Sequence, residues 1–157
     1  MAASKSVTLY IEDSAEDAIL LEKAFQRAGY GGYFVVVTDG EEGIDYLLGR
    51  GAFSDRAKYP LPDLIVCDIK MPRLSGHDFV DWLRRQPAFA QIPIFMFSSS
   101  GMMRDMSAAM ERGANRYFVK PMSLERWIQT AHEMLGHALQ VAPQAFPSQP
   151  PSPPPAP

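Results

Sequence analysis

The chain has 157 residues, 46% of them hydrophobic, and a formal net charge of -3, so it can fill one packed core but lacks the strongly basic balance of a nucleic-acid binder. A single cysteine, Cys67, excludes an internal disulfide and any multi-cysteine metal site. No apolar run approaches the ~18 residues needed to span a bilayer, and Met1 to Ser6 carries no apolar signal core, which leads us to expect a soluble cytoplasmic protein.

Residues 1–6 are polar and are expected to be disordered. The first apolar run, Val7 to Ile11, reads as a strand and leads into Glu12-Asp13. Asp13 or Ser14 can cap a helix with an apolar face of Ala18, Leu21, Phe25 and Ala28, ended by Gly29. A second strand, Tyr33 to Val37, is followed by Asp39 and Glu42, a capping pair for a helix carrying Ile44, Leu47 and Leu48. The stretch 49–62, rich in Gly, Arg and Pro, reads as a surface excursion.

The third strand, Leu64 to Cys67, runs into Asp68, and a helix marked by Phe79, Trp82 and Leu83 stops before Pro87. Strand four, Ile94 to Phe97, ends at Ser98-Ser99-Ser100, and Met103, Met106 and Met110 mark a helix closed by Gly113. Strand five, Tyr117 to Val119, ends at Lys120-Pro121. Ser123 opens a last helix with a stripe of Leu124, Trp127, Ile128, Ala131 and Leu135. We therefore bound the folded domain at 7–138.

Residues 139–157 read as an extended, mobile tail. Eight of the fourteen prolines lie between Pro143 and Pro157, and no Asp, Glu, Lys or Arg follows Glu133. Five nearly continuous apolar strands alternating with five helices predict an α/β domain, with a parallel sheet covered on both faces.

In such a sheet the functional crevice lies beyond the carboxyl ends of the strands. Glu12, Asp13, Asp68, Ser98 and Lys120 all fall there. Singly, each has a plain explanation: a helix-capping acid, a turn-forming Asp or Ser, a loop lysine. Jointly they make a chemical set. Crowded carboxylates need a cation, and three carboxylates with open positions suit Mg²⁺. A carboxylate can accept a phosphoryl group as an acyl phosphate, with a metal, a lysine and a hydroxyl spreading the charge.

The pattern Glu12-Asp13, Pro62-Asp63-Leu64-Ile65-Val66-Cys67-Asp68-Ile69-Lys70-Met71-Pro72, Gly76, Ser98 and Lys120-Pro121 resembles the receiver domain of two-component response regulators, over roughly residues 7–136. Asp45-Tyr46-Leu47, the 49–62 connection, and Leu83-Arg84 followed by Ile92-Pro93-Ile94 are most similar to stand-alone regulators of the bacteriophytochrome-associated type. The resemblance implies a flavodoxin-like (βα)5 fold with strand order 2-1-3-4-5.

It also implies that Asp68 is the phosphoacceptor. Asp13 and, through water, Glu12 would hold Mg²⁺ with Asp68 and the Lys70 backbone carbonyl. Ser98 and Lys120 would contact the phosphoryl group, Lys120 being placed by a cis bond to Pro121, and Ser98 and Tyr117 would form the switch. Ser99 stands where a smaller residue is frequent in the family, and Lys70 and Ser100 flank the site at positions that influence acyl-phosphate lifetime.

The implied protein is a single-domain regulator, not an enzyme beyond its own phosphorylation and dephosphorylation, with no output domain and no membrane or nucleic-acid partner. Its phosphoryl donor would be a sensor histidine kinase, such as a bacteriophytochrome, or a histidine phosphotransfer protein. Met106, Met110 and Trp127 would offer a homodimer or partner face on helix 4, strand 5 and helix 5.

Two readings from other classes compete. An aspartyl phosphatase usually needs an acid two residues after its nucleophile, where this chain has Lys70. A phosphorylation-independent scaffold would keep its partners after Asp68→Asn. Cys67 and the two tryptophans are expected to be packing residues, the methionines core or interface filler, and the three histidines surface or cap residues.

Overall fold

A computed structural model describes residues 5–146. Five strands, β1 (Val7–Ile11), β2 (Tyr33–Val37), β3 (Leu64–Cys67), β4 (Ile94–Ser98) and β5 (Arg116–Val119), form one sheet. All pairs are parallel and the order is β2-β1-β3-β4-β5, the flavodoxin-like order. Helices α1 (Ala15–Arg27), α2 (Gly40–Leu48), α3 (Gly76–Arg85), α4 (Met103–Arg112) and α5 (Leu124–Val141) alternate with them.

The sheet separates two cores. Leu9, Ile11, Ile65, Cys67, Ile94 and Met96 face α2, α3 and α4, packing on Leu47, Phe79, Leu83 and Ala109. Tyr10, Leu64, Val66, Phe95 and Phe97 face α1 and α5, packing on Leu21, Phe25, Trp127 and Met134. Cys67 is thus a core residue, as expected. Trp82 packs against the first core and Trp127 lies in the second. The inner strands β1, β3 and β4 are buried throughout. Strands β2 and β5 are half-exposed because they are the sheet edges.

The helix ends follow their caps. Ser14, rather than Asp13, caps α1 by accepting from the Asp17 N–H at 3.2 Å. Asp39 caps α2 by accepting from the Glu42 N–H at 2.8 Å, while the Glu42 carboxylate turns back to the Thr38 hydroxyl at 2.6 Å. Gly29 and Gly113 have φ of 91° and 115°, the left-handed conformation that stops α1 and α4.

Several expectations need adjustment. In α4 only Ala109 is buried, and Met103 and Met110 are 79% and 45% exposed, so of the two roles expected for these methionines, core or interface, the core one is excluded. Trp127 is 4% exposed and belongs to the core rather than to a partner face. The 49–62 segment does lie at the surface, with no buried residue from 49 to 61, but it is tied down: Tyr46, Phe53 and Tyr59 form an aromatic trio, and the Arg56 guanidinium donates to the carbonyls of Tyr46, Leu47 and Tyr59.

The domain limits also shift. α5 continues to Val141, and Phe146 is buried and stacked on Tyr30 at 6.3 Å, so residues 139–146 belong to the fold. Apolar contact on the second core overrides the proline signal there. Ser6 is likewise buried, its hydroxyl donating to Tyr30 Oη at 3.1 Å. The remainder of the expected disordered ends, residues 1–4 and 147–157, lies outside the described residues.

Among the described residues the hydroxyl of Tyr10 is buried with no hydrogen-bond partner. Burial, and then the charges of Glu12 and Asp68, hold its phenol above the ordinary value, so it stays a protonated donor. An orphaned buried donor costs about 1 kcal/mol or more. Tyr10→Phe is therefore expected to raise stability by about 1 kcal/mol and the melting temperature by about 3 °C, measured by circular dichroism. A lower melting temperature would mean that the hydroxyl is satisfied in solution.

Candidate functional site

The strand order carries β1, β3, β4 and β5 side by side, so the residues just past their carboxyl ends meet in one crevice. Glu12 and Asp13 follow β1, Asp68 follows β3, Ser98 ends β4 and Lys120 follows β5. Glu12, Asp68 and Ser98 are buried, and Asp13 is exposed.

Lys120 is the hub. Its Nζ donates to Glu12 Oε1 at 2.9 Å and Oε2 at 3.2 Å, to Asp17 Oδ2 at 2.9 Å and to Asp68 Oδ2 at 3.1 Å. The backbone helps: the Lys120 N–H donates to the Ser98 carbonyl at 2.8 Å, extending the β4–β5 register. The expected cis bond to Pro121 is not found. The described residues contain no cis peptide bond, and three ion pairs fix the ammonium instead.

Asp68 Oδ1 accepts from the Ile69 N–H at 2.7 Å. Gly76 sits against its backbone, and a Cβ there would lie 2.1 Å from the Asp68 carbonyl oxygen. Only glycine allows the start of α3 to close over the acidic residue, which accounts for the Gly76 of the sequence pattern. Arg73, on the loop between β3 and α3, has a left-handed φ of 68° and pairs with the buried Asp39 carboxylate.

Electrostatics make the site cation-seeking. Burial, and then the Asp68 charge, push the Glu12 carboxyl well above the usual carboxylate range, with Lys120 pulling the other way. Burial alone would lower the Lys120 ammonium, but the Asp17 hydrogen bond and the charges of Asp68 and Glu12 hold it above its ordinary value. Glu12, Asp13 and Asp68 each bring one carboxylate oxygen within 4.8 Å of the other two. Three carboxylates, Glu12, Asp17 and Asp68, pair with one ammonium, and Asp13 adds a fourth beside Glu12 and Asp68. An all-oxygen donor set with excess negative charge fits a hard divalent cation.

Ser98 Oγ accepts from the Ser100 N–H at 3.2 Å. Tyr117 donates to the Ser100 carbonyl at 2.7 Å, and the Ser100 hydroxyl donates to Asp105 Oδ2 at 2.5 Å. The loop after β4 is thus tied to both α4 and β5. Lys70 and Ser99 are exposed at the rim.

The structure gathers Glu12, Asp13, Asp68, Ser98 and Lys120 in one crevice, with Tyr117 one hydrogen bond away through Ser100. Sequence reasoning missed Asp17. Its signal was present, one helical turn after Asp13 in the first turn of α1. An acid in that position also favours the helix dipole, and that role hides any other.

Residues 8–132 match the response regulator receiver domain family. The polar-differentiation response regulator DivK of Brucella ovis is 30% identical over 135 residues, which cover 86% of this chain and 99% of DivK. The crystal structure of response regulator RPA3017, in red light signaling of R. palustris, superposes with a TM-score of 0.82 at 28% identity, covering 92% of this chain and 99% of that one. The bacteriophytochrome response regulator RtBRR gives a TM-score of 0.71 at 27% identity, covering 96% of this chain and 85% of its own. The likeness to bacteriophytochrome-associated regulators, expected from the connections around Arg84 and residues 49–62, is thus found in solved structures.

Proposed function

The chain belongs to the response-regulator receiver domain family, and we propose that it is a phosphoryl-accepting switch with Asp68 as the acceptor. The observation that carries this reading is the Lys120 ammonium, 3.1 Å from Asp68 and shared with Glu12, at the edge of a three-carboxylate cluster. A lone turn aspartate has no need of such surroundings.

Asp13, Asp68 and the Lys70 backbone carbonyl would hold Mg²⁺ directly, and Glu12 through water. When bound, the ion supplies positive charge at the phosphoryl oxygens. A carboxylate oxygen of Asp68 attacks phosphorus, and the bond to the donor's histidine nitrogen breaks with its electron pair left on the imidazole. Lys120 steadies the charge on the transferred group. Ser98 turns inward to donate to a phosphoryl oxygen and gives up the bond it accepts from Ser100. Tyr117 follows, because its hydroxyl is tied to Ser100. The same residues return the group to water, so the chain catalyses only its own phosphorylation and dephosphorylation.

The partner is a sensor histidine kinase or a histidine phosphotransfer protein, and the likeness to RPA3017 and RtBRR favours a bacteriophytochrome kinase. The switching surface is the face of α4, β5 and α5, where Met102, Met103, Met110, Val119, Met122 and Leu124 are exposed, and it serves a partner or a second copy of the chain. A cytoplasmic location fits this partnership, and no helix among the described residues is long and apolar enough to cross a membrane.

The test is phosphoryl uptake from phosphoramidate or acetyl phosphate, with and without Mg²⁺, followed by borohydride trapping and mass mapping. Mg²⁺-dependent uptake mapped to Asp68 is expected. Absence of uptake in protein shown to bind Mg²⁺ would remove the phosphoryl reading and leave a docking scaffold.

A further inference from the structure

An ammonium has three N–H donors, and those of Lys120 are already committed to three carboxylates: Glu12, Asp17 and Asp68. If Lys120 is to serve a phosphoryl group on Asp68, one of these bonds must be given up. Glu12 and Asp68 have other work in the proposed reaction, one at the cation and one as acceptor. Asp17 has none. It stands on α1, outside the three-carboxylate cluster, yet its Oδ2 lies 2.9 Å from Lys120 Nζ, as near as any Glu12 oxygen.

Exposure separates the partners further. The side chain of Glu12 is 1% exposed and that of Asp68 9%, but that of Asp17 is 27%. Water can therefore take over the Asp17 carboxylate when the ammonium leaves, whereas Glu12 and Asp68 have little access to it. The contact that breaks most easily is the one to Asp17.

We propose that Asp17 is a positioning residue that parks the Lys120 ammonium in the resting protein, so that an incoming phosphoryl group must displace it to recruit the lysine. The assignment rests on the phosphoryl-acceptor reading above. It makes Asp17 a brake: its charge both holds Lys120 and repels the anionic group that Lys120 is needed for. Hydrogen bonds from Lys120 are redistributed, and no covalent bond changes.

The full chain, at saturating Mg²⁺, is titrated with beryllofluoride, a phosphoryl mimic, followed by fluorine NMR, and its phosphorylation rate is measured against phosphoramidate concentration. In Asp17→Asn, the half-saturating concentrations of both probes are expected to fall roughly three- to tenfold, as for release of one partly exposed ion pair. The limiting rate should change less than about twofold. Asp17→Glu, which keeps the charge, should restore native half-saturation.

A merely structural role in the first turn of α1 would move the melting temperature and leave both half-saturations alone, and that result overturns the proposal. So does weaker binding in Asp17→Asn, which would make Asp17 an aid to Lys120 rather than a brake. Asp17→Ser, another polar residue suited to a helix start, should give the same shift and checks the result against any folding defect. Failure of the native chain to bind either probe removes the acceptor reading, and the Asp17 assignment falls with it. Native binding with unchanged variants removes the assignment alone.

Discussion

Asp68→Asn is expected to abolish phosphoryl uptake outright, while Lys120→Ala slows it by about 10²-fold, the usual cost of removing one preorganised charge from a transferring group. The two losses differ in kind. Asparagine offers no carboxylate oxygen for an acyl phosphate, so nothing can accumulate. Alanine at position 120 leaves the acceptor intact but strips positive charge from beside Asp68 and leaves Glu12 without its buried partner.

Mg²⁺ binding discriminates loss of function from loss of the site. Removing a cation next to three clustered carboxylates should leave Mg²⁺ affinity in Lys120→Ala equal to or tighter than native, measured by calorimetry. Slow uptake with intact Mg²⁺ binding supports a charge-stabilising lysine. Native-rate uptake would show that Lys120 is a structural ion pair only.

The largest loss of stability is expected at Arg84, far from the crevice. Its guanidinium donates to the carbonyls of Gly113, Ala90 and Ile92 and to Asn115 Oδ1, all between 2.8 and 2.9 Å. Asn115 Oδ1 also accepts from the Ile94 N–H at 2.9 Å. One side chain thus joins the end of α3, the entry to β4 and the turn between α4 and β5. Arg84→Ala takes the donor from the three carbonyls, leaves Asn115 Oδ1 with its Ile94 bond alone, and is expected to cost about 3–4 kcal/mol, or roughly 10 °C in melting temperature. Arg84→Lys keeps the charge but cannot span the fork of acceptors, and should recover less than half of the loss. A change under about 1 kcal/mol in Arg84→Ala would mean that water replaces the guanidinium at little cost.

Arg84 also shows what the sequence does and does not disclose. Leu83-Arg84 and Ile92-Pro93-Ile94 are legible as part of the family resemblance, and the structure shows how the two segments meet: the Arg84 guanidinium donates to the Ile92 carbonyl. For Asp45-Tyr46-Leu47 the side chains of Tyr46 and Leu47 carry the explanation: both are buried in the first core, and the Tyr46 hydroxyl donates to the Pro60 carbonyl of the 49–62 connection at 2.7 Å.

Strands buried on both faces, capping residues such as Asp39 and Ser123, and stopping glycines write themselves into local sequence, so the fold and its order of elements are legible there. Contacts made across the fold are not. The Asp17–Lys120 pair spans 103 positions. The helical spacing of Met103, Met106 and Met110 looks like a core stripe, and only the packing reveals that the smaller Ala109 faces inward. The seat of Phe146 on Tyr30 depends on a groove assembled from distant elements, which a proline count cannot register.

The division of the core by the sheet gives the molecule two private optical markers. Trp82 reports from the layer of α2, α3 and α4, and Trp127 from the layer of α1 and α5, where its indole donates to the Pro121 carbonyl at 3.0 Å, one residue past Lys120. Emission from a chain retaining only one indole would follow one layer, so the two halves of the domain can be watched separately as they melt. The colour of Trp127 would also register any shift of the lysine that it is tethered beside.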